Sequence, residues 1–342
     1  MIKSCYNINR SVSHYLRDLK SGSFFRTDAV SEKAFREAEG ILFVGAAGIA
    51  VRAIAPFVER KDKDPAVLVL DDTGKYVIPI LSGHLGGANA LSEQVAAFLG
   101  AEAVITTSTD GHTLFSVDSF AVKQNAFIVE TDRIKVISSE ILKGNPVGFQ
   151  SDYPVEGNLP QELTEETNLP VGILISDDRE KSPFETTLHL VPRRVVLGVG
   201  CRKNIDYDVL YRQIVSVLRE HDLTMEQVFL LASVDLKKEE PALKRLQKEW
   251  KLAFRTFSVD ALGQLSGEFT PSNFVEAQVG VDNVCERAAM LAAQEEFARR
   301  AKEAAAGKEQ ESGSPPRFLF RKTAGNGVTV AAVELKWRCR FE

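Results

Sequence analysis

The sequence predicts a multidomain α/β protein, with largely parallel sheets flanked by helices in its N- and C-terminal domains. Three observations predict it. Continuous apolar runs such as Ile41-Leu42-Phe43-Val44 have the pattern of parallel strands buried on both faces. Segments with apolar residues at helical spacing alternate with such runs, as Leu210, Ile214, Val217 and Leu218 do after the run that starts at Val195. The chain has 342 residues, more than one core usually organises, so two or three domains are expected.

Residues 1–40 are polar and carry only a short helix pattern over 30–39, with Ser31 as its N-cap and Gly40 just past its end. The strand over 41–44 leads into Gly45-Ala46-Ala47-Gly48 and a helix to about Phe57, with Val51, Ile54, Ala55 and Val58 at helical spacing. Residues 67–70 form the next strand, ended by the turn composition Asp71-Asp72-Thr73-Gly74. The strand over 76–81 feeds the turn Ser82-Gly83-His84-Leu85-Gly86-Gly87-Ala88-Asn89 and a helix over 88–99 that Gly100 stops, and a strand over 103–106 closes the unit. From about 120 to 190 two strands, 147–150 and 171–175, flank a stretch rich in Pro, Glu and Thr. A second α/β unit starts near Pro192: a strand over 195–200, the loop Cys201-Arg202-Lys203-Asn204, a helix capped by Asp206, a strand over 228–232, a helix carrying Leu243, Leu246 and Trp250, and a strand over 252–257. Helices follow from near Ser272 and over 284–306. Residues 302–316 are charged, then Gly, Ser and Pro-rich, as in a solvated extension, and strands over 317–322 and 328–335 surround the hairpin signal Ala324-Gly325-Asn326-Gly327. The expected boundaries are 1–120 for an N-terminal α/β domain, 121–191 for a middle connector domain and 192–342 for a C-terminal α/β domain.

Composition narrows the function classes. An apolar fraction of 44% and a charged fraction of 26% are ordinary for a soluble globular protein. The net charge of −5 offers no basic face for nucleic acid, although Arg193-Arg194 and Arg202-Lys203 are local basic clusters. No apolar run approaches the roughly 20 residues that span a bilayer, and the first residues lack an apolar signal core. Cys5, Cys201, Cys285 and Cys339 are scattered, with neither zinc nor redox spacing, so a reduced cytoplasm is the expected compartment.

Several turns could carry chemistry. Ser82 to Asn89 combines three glycines with His84, Asn89 and Ser82 at the start of a helix. The first N–H groups of a helix lack partners inside it and carry partial positive charge, which suits an anion and disfavours a protonated histidine, leaving His84 able to act as a base. A purely structural turn with an exposed histidine fits the same residues equally well. Gly45-Ala46-Ala47-Gly48 either accepts a phosphate or carboxylate or is a tight turn without a ligand; it lacks the spacing of a dinucleotide fingerprint. Cys201-Arg202-Lys203 sets two cations beside free backbone donors, which suits a carboxylate-rich ligand, whereas Cys201 as a nucleophile lacks a neighbouring histidine in sequence. Glu240, before Pro241, either favours the positive end of a helix or serves as an acid or base. Thr106-Thr107-Ser108-Thr109-Asp110 is a hydroxyl-rich strand end, and His14, His112, His189 and His221 show no ligand spacing, so no protein-bound metal is expected.

Two stretches together are more specific. One runs from Phe43-Val44-Gly45-Ala46-Ala47-Gly48-Ile49-Ala50-Val51-Arg52 through the Ser82–Asn89 turn to Ile105-Thr106-Thr107. The other runs from Gly198-Val199-Gly200-Cys201-Arg202-Lys203 through Leu231-Ala232-Ser233-Val234-Asp235-Leu236-Lys237-Lys238-Glu239-Glu240-Pro241 to Val279-Gly280-Val281. In this order they resemble the cobalamin biosynthesis protein G family, the cobalt-precorrin-5A hydrolases, over about residues 40 to 335. The resemblance implies three domains and a hydrolase of the anaerobic cobalamin (vitamin B12) route, within porphyrin and corrin metabolism. It implies opening of the δ-lactone of cobalt-precorrin-5A and loss of a two-carbon unit as acetaldehyde, giving cobalt-precorrin-5B. Two stretches depart from the pattern: residues 1–40 carry a poor version of the family's opening strand and helix, and about 294–316 looks like a surface insertion.

On this reading His84 is the base and Glu240 a proton donor or alternative base, in a cleft between the terminal domains. Gly45, Gly48, Arg52, Ser82, Gly83, Gly86, Gly87, Asn89, Thr107, Cys201, Arg202, Lys203 and Ser233 face a flat, polycarboxylate substrate. The expected partners are the cobalt-corrinoid intermediate as substrate and neighbouring pathway methyltransferases, with no nucleic acid and no membrane. No cofactor is expected, because cobalt is carried by the substrate. Two other classes use the same turns: a non-catalytic corrinoid carrier or chaperone and, by fold analogy alone, a nucleotide-dependent oxidoreductase.

Overall fold

The computed structural model describes residues 4–7, 23–25, 32–38, 40–60, 63–83, 86–106, 114–272, 277, 279–303 and 314–341. Among the described residues it has three mixed sheets with helices packed against them, and one small two-stranded parallel sheet.

The first sheet has the order β2-β1-β3-β4-β5-β6: β1 Ser4–Asn7, β2 Ser23–Phe25, β3 Gly40–Val44, β4 Ala66–Leu70, β5 Tyr76–Leu81 and β6 Glu102–Ala103. β1 and β2 supply the edge that the polar first forty residues did not predict. They are too short to show a period, at four and three residues. β1 to β4 are parallel. β5 reverses against β4, pairing Leu81 with Val67 and Val77 with Leu70, and β6 runs parallel to β5. The apolar run of β3 divides by the strand's two-residue period. Ile41 and Phe43 face the helices α1 (Glu32–Glu37) and α2 (Ala47–Ile54), while Leu42 and Val44 face α3 (Ala88–Leu99). α2 passes into a 3-10 turn over Ala55–Phe57, because Pro56 has no N–H to continue the ladder.

The second sheet, β10-β8-β11-β12-β7, is formed by β7 Ala126–Ile128, β8 Val147–Ser151, β10 Leu163–Thr164, β11 Val171–Ile175 and β12 Thr186–Pro192. All but β7 are parallel, and α4 (Val117–Lys123) and α5 (Ile134–Leu142) cover it. Its core takes in Trp337, Cys339 and Phe341, residues that the sequence groups with the C-terminal domain. Their segment returns across the molecule as β18 (Cys339–Arg340), which pairs with β9 (Val155–Glu156), and the Trp337 indole donates to the Gln124 carbonyl at 2.7 Å.

The third sheet has the order β15-β14-β13-β17-β16: β13 Val195–Cys201, β14 Val228–Val234, β15 Ala253–Phe257, β16 Arg317–Gly325 and β17 Val328–Glu334. β13, β14 and β15 are parallel, and β17 and β16 form an antiparallel hairpin beside them. Its turn holds Asn326 and Gly327 at φ 51° and 77°, the left-handed pair that a two-residue hairpin requires. α6 (Tyr207–Glu220) and α7 (Pro241–Glu249) cover one face; α8 (Val259–Gln264) and α9 (Cys285–Glu303) cover the other. α9 lies so close to β13 that a Cβ at Gly198 would sit 1.9 Å from the Cys285 carbonyl oxygen. Residues 294–303 continue this helix. Glu296 is buried at 5% exposure and bonds to Arg255, Arg299 and Arg300. The helix expected from Ser272 falls largely outside the described residues.

Candidate functional site

The reversal at β5 separates the two glycine turns of the N-terminal sheet. Gly45 follows Val44, which pairs with Leu70, which pairs with Val77. The Ser82 turn follows Leu81, beside Val67 and Ile41, at the opposite end. The five residues of β3 put the two turns roughly 16 Å apart along the sheet. Gly45 and Gly48 therefore stand at one end, with Arg52 a turn further along α2, and Ser82, Gly83, Gly86, Gly87 and Asn89 at the other. His84 and Thr107 lie outside the described residues.

The Ser82 turn closes on itself. Ser82 is left-handed at φ 58°, and its hydroxyl donates to the Asp64 carbonyl at 3.1 Å. The Ala88 and Asn89 N–H groups, two of the leading donors of α3, bond to the carbonyls of Ser82 (3.1 Å) and Gly83 (2.9 Å). A Cβ on Gly86 would lie 2.2 Å from the Ser82 Cβ and 2.8 Å from its carbonyl oxygen, so only glycine fits. The glycines are thus accounted for by closure, and the open helix end expected from sequence is partly occupied by the chain's own carbonyls. An open cavity of about 240 Å³ remains beside the turn, between Gly40, Ala66, Gly86, Gly87, Leu91 and Gln94.

The Gly45 turn is open. Gly45 donates to the Leu70 carbonyl at 2.8 Å, and Ala46, the N-cap of α2, makes no side-chain capping bond. The Ala47 and Gly48 N–H groups have no backbone acceptor among the described residues. Gly48 is exposed, and a Cβ there would meet nothing within 4 Å. Arg52, one turn further on, is exposed and forms no ion pair among the described residues, with Ile49 and Val51 exposed beside it. Among the described residues, this end carries free helix donors of the kind the sequence favours at the Ser82 turn.

The C-terminal sheet has a comparable edge. The loop after β13 begins with Cys201, and Arg202 N–H donates to the Gly327 carbonyl at 3.0 Å. The Arg202 stem lies against Gly327, where a Cβ would be 2.8 Å from its Cδ. Arg202 and Lys203 are exposed; Asp206 caps α6 through the Val209 N–H at 3.1 Å. Burial pushes the half-buried Cys201 thiol up to about 11, with nearby Lys237 partly opposing, which leaves it a neutral thiol near pH 7. Ser233, expected among the substrate contacts, is instead fully buried inside the sheet, where its hydroxyl donates to the Val199 carbonyl at 2.7 Å. Glu240 is 5% exposed, and both its oxygens are engaged. Oε1 accepts from the Ile205 N–H at 3.2 Å and Oε2 from Lys237 Nζ at 3.1 Å. Its side chain does not cap α7.

Sequence reasoning missed the join between the middle and C-terminal sheets. The sequence marks Arg193 and Arg194 only as a local basic cluster, yet both side chains are largely buried. Arg193 lies over the Phe127 ring at 5.2 Å and donates to the Trp250 carbonyl at 3.2 Å; burial holds its guanidinium down at about 10. Arg194 reaches Glu334 at 2.8 Å, Asp177 at 2.7 Å and the Tyr153 hydroxyl at 3.0 Å. Burial alone would lower its pKa, but Asp177 and Tyr153 raise it. The sequence pattern carries no clear signal for this join, because the strand that leads directly into the pair, Thr186–Pro192, is not among those the pattern predicts.

Fold and site define a multi-sheet α/β protein with exposed cationic loops where parallel strands end, at β3 and at β13. That is the edge at which open α/β sheets take small ligands. The chain belongs to the cobalamin synthesis G family. Three family models match it in order: cobalamin synthesis G N-terminal over residues 29–110, cobalamin biosynthesis central region over 115–192, and cobalamin synthesis G C-terminus over 195–333. It is 35% identical over 293 residues to the cobalt-precorrin-5A hydrolase of Salmonella typhimurium, covering 80% of each chain. It is 31% identical over 278 residues to that of Priestia megaterium, covering 75% of this chain and 73% of the relative. A solved cobalamin biosynthesis protein G homolog from Sulfolobus solfataricus is 20% identical, covering 98% of this chain and 97% of that one at a TM-score of 0.40. Among the described residues no helix is long and apolar enough to cross a membrane, and no group of three or more His, Cys, Asp or Glu could hold a metal ion.

Proposed function

We propose that this chain is a cobalt-precorrin-5A hydrolase of the anaerobic cobalamin pathway. It opens the δ-lactone of cobalt-precorrin-5A and releases acetaldehyde to give cobalt-precorrin-5B. The observation that carries this is the 35% identity, over 80% of both chains, to a relative of that name. The reaction needs water added to the lactone carbonyl, an oxyanion held while the carbon–oxygen bond breaks, and a proton removed from the freed hydroxyl. As that proton leaves, the carbon–carbon bond to the ring breaks, acetaldehyde departs, and the electron pair stays on the macrocycle, which takes a proton. His84 is the base of this proposal. The open edges at Gly48 and Arg52 and at Arg202 and Lys203 hold the peripheral carboxylates. Cobalt enters with the substrate, the reaction takes place in the cytoplasm, and pathway methyltransferases act on either side of it.

The test is acetaldehyde release from cobalt-precorrin-5A by the purified protein. Loss of a general base lowers turnover by about 100-fold or more, which is the effect expected of His84→Ala. Unchanged turnover in that variant removes His84 from the mechanism. A wild-type protein that binds the intermediate and releases nothing is a carrier.

A further inference from the structure

Glu240 has a position that acid–base chemistry does not explain. It is 95% buried by its 5% exposure, and its carboxylate joins two loops at the end of the C-terminal sheet. One oxygen takes the Ile205 N–H from the loop after β13, and the other takes Lys237 from the turn after β14. Lys237 is itself largely covered, at 14% side-chain exposure. The loop after β13 is shaped further by Asn204, held left-handed at φ 56°, which turns the chain between Lys203 and Ile205.

What these loops present is cationic. Arg202 lies on the β17 side of β13, against Gly327, while Lys237 and Lys238 follow β14 on the other side. Two strand spacings separate β17 from β14, so the cations spread over roughly 10 Å. Arg202, Lys203 and Lys238 are exposed and form no ion pair among the described residues. Of the nearby carboxylates, Asp206 caps α6, Glu239 is bonded to Lys244 and Asp235 is exposed. In the turn after β14 Leu236 is 69% exposed, the most exposed large apolar side chain described. Exposed cations flanking an exposed apolar side chain match the edge of a flat hydrophobic ring that carries carboxylates.

We propose that the loop after β13 and the turn after β14 form one recognition site for the carboxylated rim of the macrocycle. Arg202, Lys203 and Lys238 are its anion contacts, Leu236 is its apolar rest, and Glu240 is a positioning residue that aligns the two loops. The proposal rests on the corrinoid reading above and adds Leu236, Lys237 and Lys238 to the site. It also removes Glu240 from the proton-transfer step.

The probe is a stable cobalt corrinoid whose peripheral side chains are free carboxylates, compared with the same ring bearing amides. Binding to the full chain is measured by calorimetry across a salt series. In Lys203→Gln/Lys238→Gln, both exposed positions, affinity for the carboxylated ring falls about tenfold, its salt dependence flattens, and affinity for the amide ring is unchanged. Equal loss for both rings, or no loss for either, overturns the proposal. Glu240→Gln keeps an acceptor for the Ile205 N–H but releases Lys237. With cobalt-precorrin-5A it raises KM and leaves kcat within about twofold. A collapse of kcat at unchanged KM makes Glu240 the acid or base and overturns the positioning role. If the wild-type protein binds the carboxylated ring in this charge-dependent way but releases no acetaldehyde, the hydrolase reading falls and the recognition site stands.

Discussion

The two glycine turns of the N-terminal sheet look alike in sequence and differ in what their glycines are for. Gly86 is glycine because the chain folds back on Ser82 with no room for a side chain, and the turn's carbonyls take the donors of its own helix. Gly48 stands in open space, on a helix whose N-cap makes no side-chain bond, about a turn before an arginine with no ion pair among the described residues. The richer motif is the more self-contained one. A glycine cluster before a helix therefore does not by itself report a vacant anion site. What decides is whether the preceding residues curl round to satisfy the helix end.

Alanine at each glycine breaks the comparison most directly. Gly86→Ala forces the Ser82 backbone aside and is expected to destabilise the N-terminal sheet by about 3 kcal/mol or more. Gly48→Ala meets no neighbour and replaces a poor helix former with the best one, so it stabilises by about 0.4–1 kcal/mol. Urea denaturation of both variants, followed by far-UV circular dichroism, gives the two signs. A Gly86→Ala protein as stable as the parent would mean that the turn is not closed as described.

Legibility follows the same division. Strands were readable where apolar runs are continuous, as at Ile41 to Val44 and Val195 to Val199, because burial on both faces leaves no polar position to blur the pattern. β1 and β2 were not, since three or four residues carry no period. The candidate residues were found as types but not as an arrangement. The short turn between the strands over 66–70 and 76–81 leaves no room for a parallel crossover, so the sequence implies that β5 runs against β4 if the two pair. The pairing itself, which sends Gly45 and Ser82 to opposite ends, is a tertiary fact. Ser233 and Glu240 lie in a motif whose hydroxyl and carboxylate invite a chemical role. Their burial, which hands both groups to the backbone of neighbouring segments, is a tertiary fact. The return of Trp337 and Phe341 to the middle core was invisible for the same reason.

A second contrast concerns binding rather than stability. If the Gly45 end is the open one, Arg52→Gln weakens the hold on a carboxylate without touching the fold. The expected result is a KM for cobalt-precorrin-5A raised about fivefold at unchanged kcat, the size of one exposed charge contact. Its urea midpoint should stay with that of the parent, because exposed Arg52 forms no ion pair among the described residues. An unchanged KM would leave the Gly45 end without a role in recognition and shift that task toward the C-terminal edge.

The smallest effect tests whether the β13 edge is open in the native state, and the cysteines report it. Burial pushes the Cys201 thiol up to about 11 and those of Cys285 and Cys339 up to about 12, above the ordinary value near 8.5. The sign follows from the raised values. The folded protein keeps these protons after the unfolded chain has lost them, so the stability they contribute is complete below about pH 8.5 and is lost as pH rises through about 11 to 12. Within that window a thiol can be alkylated without unfolding only if reagent reaches it. Cys201 is half-buried at the strand end, whereas Cys285 and Cys339 are 1% and 0% exposed. Alkylation followed by peptide mass mapping between pH 8 and 10 should label Cys201 before Cys285 and Cys339, at a rate that climbs with pH, and leave those two protected until urea is added. Equal protection of all three would mean that the β13 edge is as closed as the Ser82 turn, and the contrast between open and closed strand ends would reduce to the single turn at Gly45.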